Sequence, residues 1–181
     1  MHEASEEDTD RAVAAAKAAF PAWSALAPEA RGAYFKKLAA LIRENNDELA
    51  ALEAASMGRP VTTFFDAHVC AAKFDHYSEA GYSVQGTTSV QTPGFINMVL
   101  RQPFGVVAGI IPWNVPLIML ANKLAPALIV GNTVVLKSSE KAPLTVSLRE
   151  STSLFEHDAD TQVVRKIRHS GPTGGLSPWR Y

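Results

Sequence analysis

The stretch from Gly105 to Glu140, GVVAGIIPWNVPLIMLANKLAPALIVGNTVVLKSSE, most narrows what this chain can fold into. Two short apolar runs, Val106 to Ile111 and Thr133 to Lys137, are rich in β-branched residues and too short for independent helices, while the run between them is helix-length. Parallel strands need a long crossover, so this order predicts a strand, a helix and a second, parallel strand. The entry to the helix agrees: Asn114 is a good N-cap, and Pro116 falls near the first turn, where its missing N–H does least harm. Gly131-Asn132 stops the helix. Val115 to Val130 is almost wholly apolar but shorter than the roughly 20 residues that span a bilayer. Asn122, Lys123 and Pro126 interrupt it, which points to burial in protein and not in membrane.

Upstream, helical periods dominate. An alanine-rich helix is expected from Thr9 to Phe20, with Thr9 or Asp10 as cap, Val13, Ala16, Lys17 and Phe20 on one side, and Pro21 as its end. After Pro28-Glu29, the residues Tyr34, Leu38, Leu41, Ile42, Asn45, Leu49 and Leu52 fall on one stripe of a second helix, which Gly58-Arg59-Pro60 stops. A third is expected through Phe64, Phe65, Val69 and Ala72 toward Tyr77. From Ser83 to Pro103 the period changes, Phe95, Asn97, Val99 and Arg101 alternating with Ile96, Met98 and Leu100, so a hairpin arm is expected.

The segments PFGVVAGIIPWNVP and GNTVVLKSSEKAPLT together resemble the aldehyde dehydrogenase superfamily, as does ARGAYFKKLAALIRENNDELAALEAASMGRP ahead of them. The match is specific because the P-W-N turn and the K-S-S-E strand exit recur together at the family's separation. The resemblance implies an α/β fold: N-terminal helices, a β-hairpin arm that helps subunits associate, and the first βαβ unit of a Rossmann-like dinucleotide-binding domain. It covers residues 1–145; residues 146–181 are read as a divergent, disordered or loosely helical tail. Members are far longer than 181 residues, so a truncated member is expected.

The chemistry implied is NAD(P)-dependent oxidation of an aldehyde to a carboxylic acid. It needs a cysteine nucleophile, a donor for the oxyanion, a nicotinamide to take the hydride and a carboxylate base. Asn114 matches the family's oxyanion-binding asparagine, a kind of donor worth about 3 kcal/mol of barrier. Spacing alone favours a cap for Asn114; the family match reverses that preference, and one amide cannot serve both geometries. By resemblance, Lys137 and Glu140 bind the adenosine ribose hydroxyls with Ser139 close by, and Ile110, Ile111, Pro112 and Trp113 line the cofactor cleft. Without the family context, Lys137 and Glu140 read as a solvated ion pair; the apolar residues, which would line the cleft through backbone and apolar contacts, read as ordinary core, and both can hold at once. A carboxylate accepts from a free 2′-hydroxyl and repels a 2′-phosphate, so Glu140 argues for NAD, with NADP the alternative.

Other parts of that chemistry have no counterpart. The only cysteine, Cys70, sits in AHVCAAKF within an expected helix and reads as buried and structural. No segment resembles the family's catalytic glutamate motif or its later pyrophosphate turn, so the chain alone is expected to be inactive, with its hold on the cofactor open to loss. The alternative is a noncatalytic interaction module that forms homo- or hetero-oligomers with longer relatives. Two parallel strands without their usual neighbours also predict marginal stability or self-association.

Composition excludes other classes. A net charge of -1 gives no basic field for nucleic acid, and a single cysteine excludes an internal disulfide. MHEASEEDTD is acidic where a secretory signal is basic and then apolar, which suggests the cytoplasm. Gly171 to Pro178 has no Walker-type lysine, and His68, His76, His157 and His169 lack the companions of a metal site.

Overall fold

The structure, a computed structural model, describes residues 4–144, residue 146 and the backbone of 164–166. Four helices lead the chain: α1 (Glu6–Ala25), α2 (Pro28–Glu44), α3 (Asn46–Met57) and α4 (Asp66–Ala80). A two-stranded hairpin comes next, β1 (Thr87–Ser89) with β2 (Asn97–Val99), and then the βαβ unit of β3 (Val106–Ile110), α5 (Pro116–Ile129) and β4 (Thr133–Lys137). Strand β5 (Val164–Lys166) pairs with β4, giving a parallel sheet of order β3-β4-β5. No helix among the described residues is long and apolar enough to cross a membrane.

Helix α1 begins earlier and ends later than its sequence suggests. Ser5 is the cap: its hydroxyl accepts from the Asp8 N–H at 3.1 Å and its own N–H donates to the Asp8 carboxylate at 3.0 Å, a reciprocal pair that settles the start ahead of Thr9 and Asp10. Pro21 lies inside the helix and does not end it. The lost hydrogen bond at Pro21 is offset nearby, where Trp23 is buried and its indole N–H donates to the Leu128 carbonyl at 3.0 Å.

The expected second helix is two, because Asn45 leaves helical geometry (φ -101°, ψ 22°) and its side chain turns back to the Leu41 carbonyl. The buried face also differs from the expected stripe. It runs through Arg31, Gly32, Phe35, Ala39 and Ile42, leaving Tyr34 exposed. Small residues decide this: with no side chain at Gly32, α2 comes so close to α4 that a Cβ there would stand 2.1 Å from the Ser78 carbonyl oxygen. Phe35 and Phe74 then meet edge to face, 5.3 Å apart, at the centre of the contact. Gly58 ends α3 as expected, in the left-handed conformation at φ 75°. Helix α4 starts after Phe64 and Phe65, and buries Ala67, Cys70, Ala71, Phe74 and Ser78.

The hairpin forms in the expected stretch, antiparallel with Thr87 opposite Val99 and Ser89 opposite Asn97, but both strands are exposed throughout. The βαβ unit is as expected. Strands β3 and β4 are parallel, with Val106 opposite Thr133 and Ile110 opposite Lys137. Helix α5 buries Leu117, Leu120, Ala121, Leu124, Ala125, Leu128 and Ile129 against α4, α2 and the sheet. At its end Gly131 turns the chain at φ 93°, while the Asn132 side chain donates to Ala127 and accepts from the Gly105 N–H, tying the start of β3 to the end of α5. On the other side of β4, the Thr133 hydroxyl donates to the Ala16 carbonyl of α1 at 2.9 Å. Of the expected tail, Val164–Lys166 forms a strand and not a disordered or helical segment. Val163, Ile167, His157, His169 and Gly171 to Pro178 lie outside the described residues.

Two glycine substitutions separate packing from backbone strain. Gly32→Ala must push α4 away and should cost about 3 kcal/mol, whereas Gly58→Ala, with open space around it but a left-handed backbone, should cost about 1 kcal/mol. Urea unfolding of both variants measures this; a neutral Gly32→Ala would contradict the α2–α4 contact.

Candidate functional site

The carboxyl edge of β3 and β4 is where open α/β sheets receive ligands. Ile110 and Lys137 end the two strands in register, and the Ile111 N–H donates to the Lys137 carbonyl at 3.0 Å, extending the pairing by one residue. That bond sets the turn at 112–114 beside the segment 138–141. Pro112, Trp113, Asn114, Lys137, Glu140 and Lys141 are all exposed there, as is Ile110.

Within this cluster the Lys137 ammonium donates to the Ser138 carbonyl at 3.2 Å and to the Glu140 carboxylate at 3.4 Å. The Glu140 carboxyl is held below the usual carboxylate range, first by its own backbone N–H and then by Lys137. It is therefore ionised at neutral pH. The Lys141 ammonium stands 6.0 Å from the centroid of the Trp113 ring, bridging the two segments. Lys141 is not among the residues to which the sequence points. The repeated lysine in K-S-S-E-K is its only signal, and nothing in a linear reading shows that it turns back toward Trp113.

Two of the expected site residues, Ile111 and Ser139, have buried side chains. Ile111 is 2% exposed and packs in the core with Leu117 and Leu124. Ser139 is also buried, and its hydroxyl accepts from the Lys141 N–H at 3.2 Å, so it shapes the loop that carries Glu140. Asn114 is not the helix cap. The cap position is Val115 (φ -147°), and no side chain caps α5. Pro116 explains the shift, because a proline disfavours helical geometry at the residue before it and so fixes the boundary at Val115. The Asn114 amide, one residue further out and exposed, is not spent on the helix.

Cys70 lies at the centre of α4 with no exposed surface. Burial, reinforced by the Asp66 carboxylate, pushes its thiol up to about 12. The nearest polar cluster is structural: Asp66, wholly buried, accepts from Arg59 at 2.7 Å, and that guanidinium also lies over the Phe65 ring at 4.7 Å.

Comparison with known proteins bears on this geometry. Residues 1–175 match the aldehyde dehydrogenase family, so the match runs past Thr145. An aldehyde dehydrogenase of Emericella nidulans is 37% identical over 179 residues, covering 98% of this chain and 36% of the relative. The NADP/NAD-dependent aldehyde dehydrogenase PuuC of Escherichia coli is 40% identical over 142 residues, 76% of this chain and 29% of that protein. Among solved structures, PnpE from Pseudomonas sp. WBC-3 superposes with a TM-score of 0.81 at 42% identity, covering 89% of this chain and 33% of PnpE. PnpE has also been solved in complex with nicotinamide adenine dinucleotide. The chain spans about a third of the length of the relatives it matches.

The buried thiol yields a direct expectation. In the folded chain at pH 8, Cys70 should resist a disulfide reagent such as DTNB for as long as the native state holds, and react at once in 6 M guanidinium, about the concentration that unfolds even very stable domains. Rapid reaction without denaturant would place Cys70 at the surface.

Proposed function

Because the chain belongs to the aldehyde dehydrogenase family, we propose that it supplies the adenosine-ribose end of a nicotinamide dinucleotide cradle, together with the oxyanion donor, for aldehyde oxidation. The observation that carries this reading is the Lys137–Glu140 pair, one donor and one acceptor 3.4 Å apart, exposed at the carboxyl edge of two parallel strands beside the turn at 112–114. An ammonium beside a carboxylate is a donor–acceptor pair that suits neighbouring ribose hydroxyls, each of which can donate and accept. Lys137 donates to one hydroxyl and Glu140 accepts from the other; Ile110, Pro112 and Trp113 give the cleft an apolar wall. When bound, the dinucleotide supplies hydride acceptance.

Asn114 has the second role. Its side-chain amide, left out of the α5 cap, donates to the aldehyde oxygen as negative charge builds there, which is worth about 3 kcal/mol of barrier. Nucleophilic attack is not within this chain's means, since its one cysteine is Cys70, buried and with its thiol raised to about 12. On this reading the chain binds cofactor without turning over aldehyde by itself.

A second, compatible reading is association with another copy or with longer relatives through the hairpin. Phe95, Ile96, Met98 and Leu100 are each about 70% exposed, and Phe104 is 97% exposed. Large apolar side chains this exposed, close together in sequence, are what a surface awaiting a partner presents.

Calorimetric titration of the full chain with NAD tests the first reading. Lys137→Ala and Glu140→Ala should each weaken binding about tenfold, the loss of one charge-assisted hydrogen bond. Binding that ignores both substitutions, or no binding at all, would refute it.

A further inference from the structure

Strand β3 has a second edge, turned away from β4, that cofactor binding does not use. The Gly105 carbonyl accepts from the Thr133 N–H at 2.9 Å and the Ile111 N–H donates to the Lys137 carbonyl at 3.0 Å, so the odd-numbered residues hold the backbone bonds to β4. In a parallel ladder the alternate residues point their backbone groups the other way. The N–H and C=O groups of Val106, Ala108 and Ile110 therefore face outward, and among the described residues β3 pairs with β4 alone. Ala108 is exposed and Ile110 is 70% exposed, so this edge is open among the described residues. Edge strands are normally guarded by a lysine, a proline or a bulge. The sequence VVAGI has no charge and no proline, and it pairs without a bulge, as a strand with a neighbour on each side does.

We propose that this edge pairs with the β3 edge of a second copy of the chain, antiparallel about a two-fold axis at Ala108. The register is self-complementary: Ala108 lies opposite its own copy and Val106 opposite the Ile110 of the other chain, so each outward N–H meets an outward C=O. The same axis sets Phe104, 97% exposed, opposite the exposed Pro112 at each end of the pair. Phe104, Ile110, Pro112 and the backbone edge supply on the order of 500 Å² per copy, and about 1,000 Å² in total is where specific interfaces begin. The dimer is therefore a weak one. Lys123, exposed on α5 beside Gly109, flanks the edge, and its two copies repel across the axis, which salt relieves. The hairpin takes no part in this contact. Because Ile110 and Pro112 also belong to the proposed cofactor wall, nucleotide competes with the second copy, and the test is made without nucleotide.

Sedimentation equilibrium of the full chain, at concentrations on the order of 100 μM that suit a weak interface, should show a monomer–dimer equilibrium. Salt at about 0.5 M should strengthen it. Ala108→Pro removes an outward N–H and leaves the β3–β4 ladder intact, while Ala108→Lys sets like charges at the axis; each should weaken dimerisation about tenfold or more with the circular dichroism unchanged. Met98→Ser, in the hairpin, should leave dimerisation as it is. Amide hydrogen exchange needs no variant: raising the concentration should slow the Val106, Ala108 and Ile110 amides, while those of Val107 and Gly109, already bonded to β4, stay slow throughout. A monomer at these concentrations would overturn the proposal. So would a dimer that Met98→Ser dissolves and Ala108→Lys does not, or exchange at Val106, Ala108 and Ile110 that ignores concentration.

Discussion

The last two carbonyls of α5 are held by side chains from the leading helices, and the rest of the structure depends on that grip. The Trp23 indole donates to the Leu128 carbonyl, and the buried Arg31 guanidinium donates to the Ile129 carbonyl at 2.8 Å while also reaching Ser24 and Leu26. A helix ends with carbonyls that have no partner of their own and carry partial negative charge, so a buried end must be capped. Here one arginine satisfies the ends of α1 and α5 together, with hydrogen bonds from a charged donor typically worth about 1.5–3 kcal/mol each. The helical layer and the βαβ unit are thus one structure.

That anchor fixes the path of the chain beyond α5. With the end of the helix held, Gly131 and Asn132 can turn directly into β4, and Asn132 also holds the start of β3. Register then runs unbroken from Val106–Thr133 to Ile110–Lys137, and the two strands finish level. The candidate site needs just this, because Trp113, Asn114, Lys137, Glu140 and Lys141 come from segments that separate as soon as the strands end. Thr133 bonded to Ala16 holds the opposite face of β4 against α1, so the edge is positioned from both sides.

Much of this architecture is legible in the sequence, and the failures have physical causes. The βαβ unit is readable because β-branched runs, an apolar crossover and a Gly-Asn stop all favour one answer. The pairing of Lys137 with Glu140 is readable from their spacing past the strand. Helix boundaries are less so: Pro21 loses its helix-ending effect to a tertiary anchor at Trp23, and Asn114 loses the cap to the constraint Pro116 places on Val115. The buried face of α2 escapes notice because Gly32 and Ala39 signal close approach by having little side chain, whereas a hydrophobic stripe counts large ones. The inward turn of the Ile111 and Ser139 side chains is not visible in a linear reading, and Lys141 stays hidden because its contact with Trp113 crosses between strand ends.

We propose that nucleotide recognition resides at the carboxyl edge of β3 and β4. Amide-resolved NMR of the full chain titrated with NAD tests it most directly, since each backbone N–H reports its own surroundings. Perturbations concentrated in residues 110–114 and 137–141, with α4 and the hairpin unchanged, are the predicted result. Perturbations centred elsewhere, on the hairpin or around Cys70, with the strand ends silent, would contradict the account.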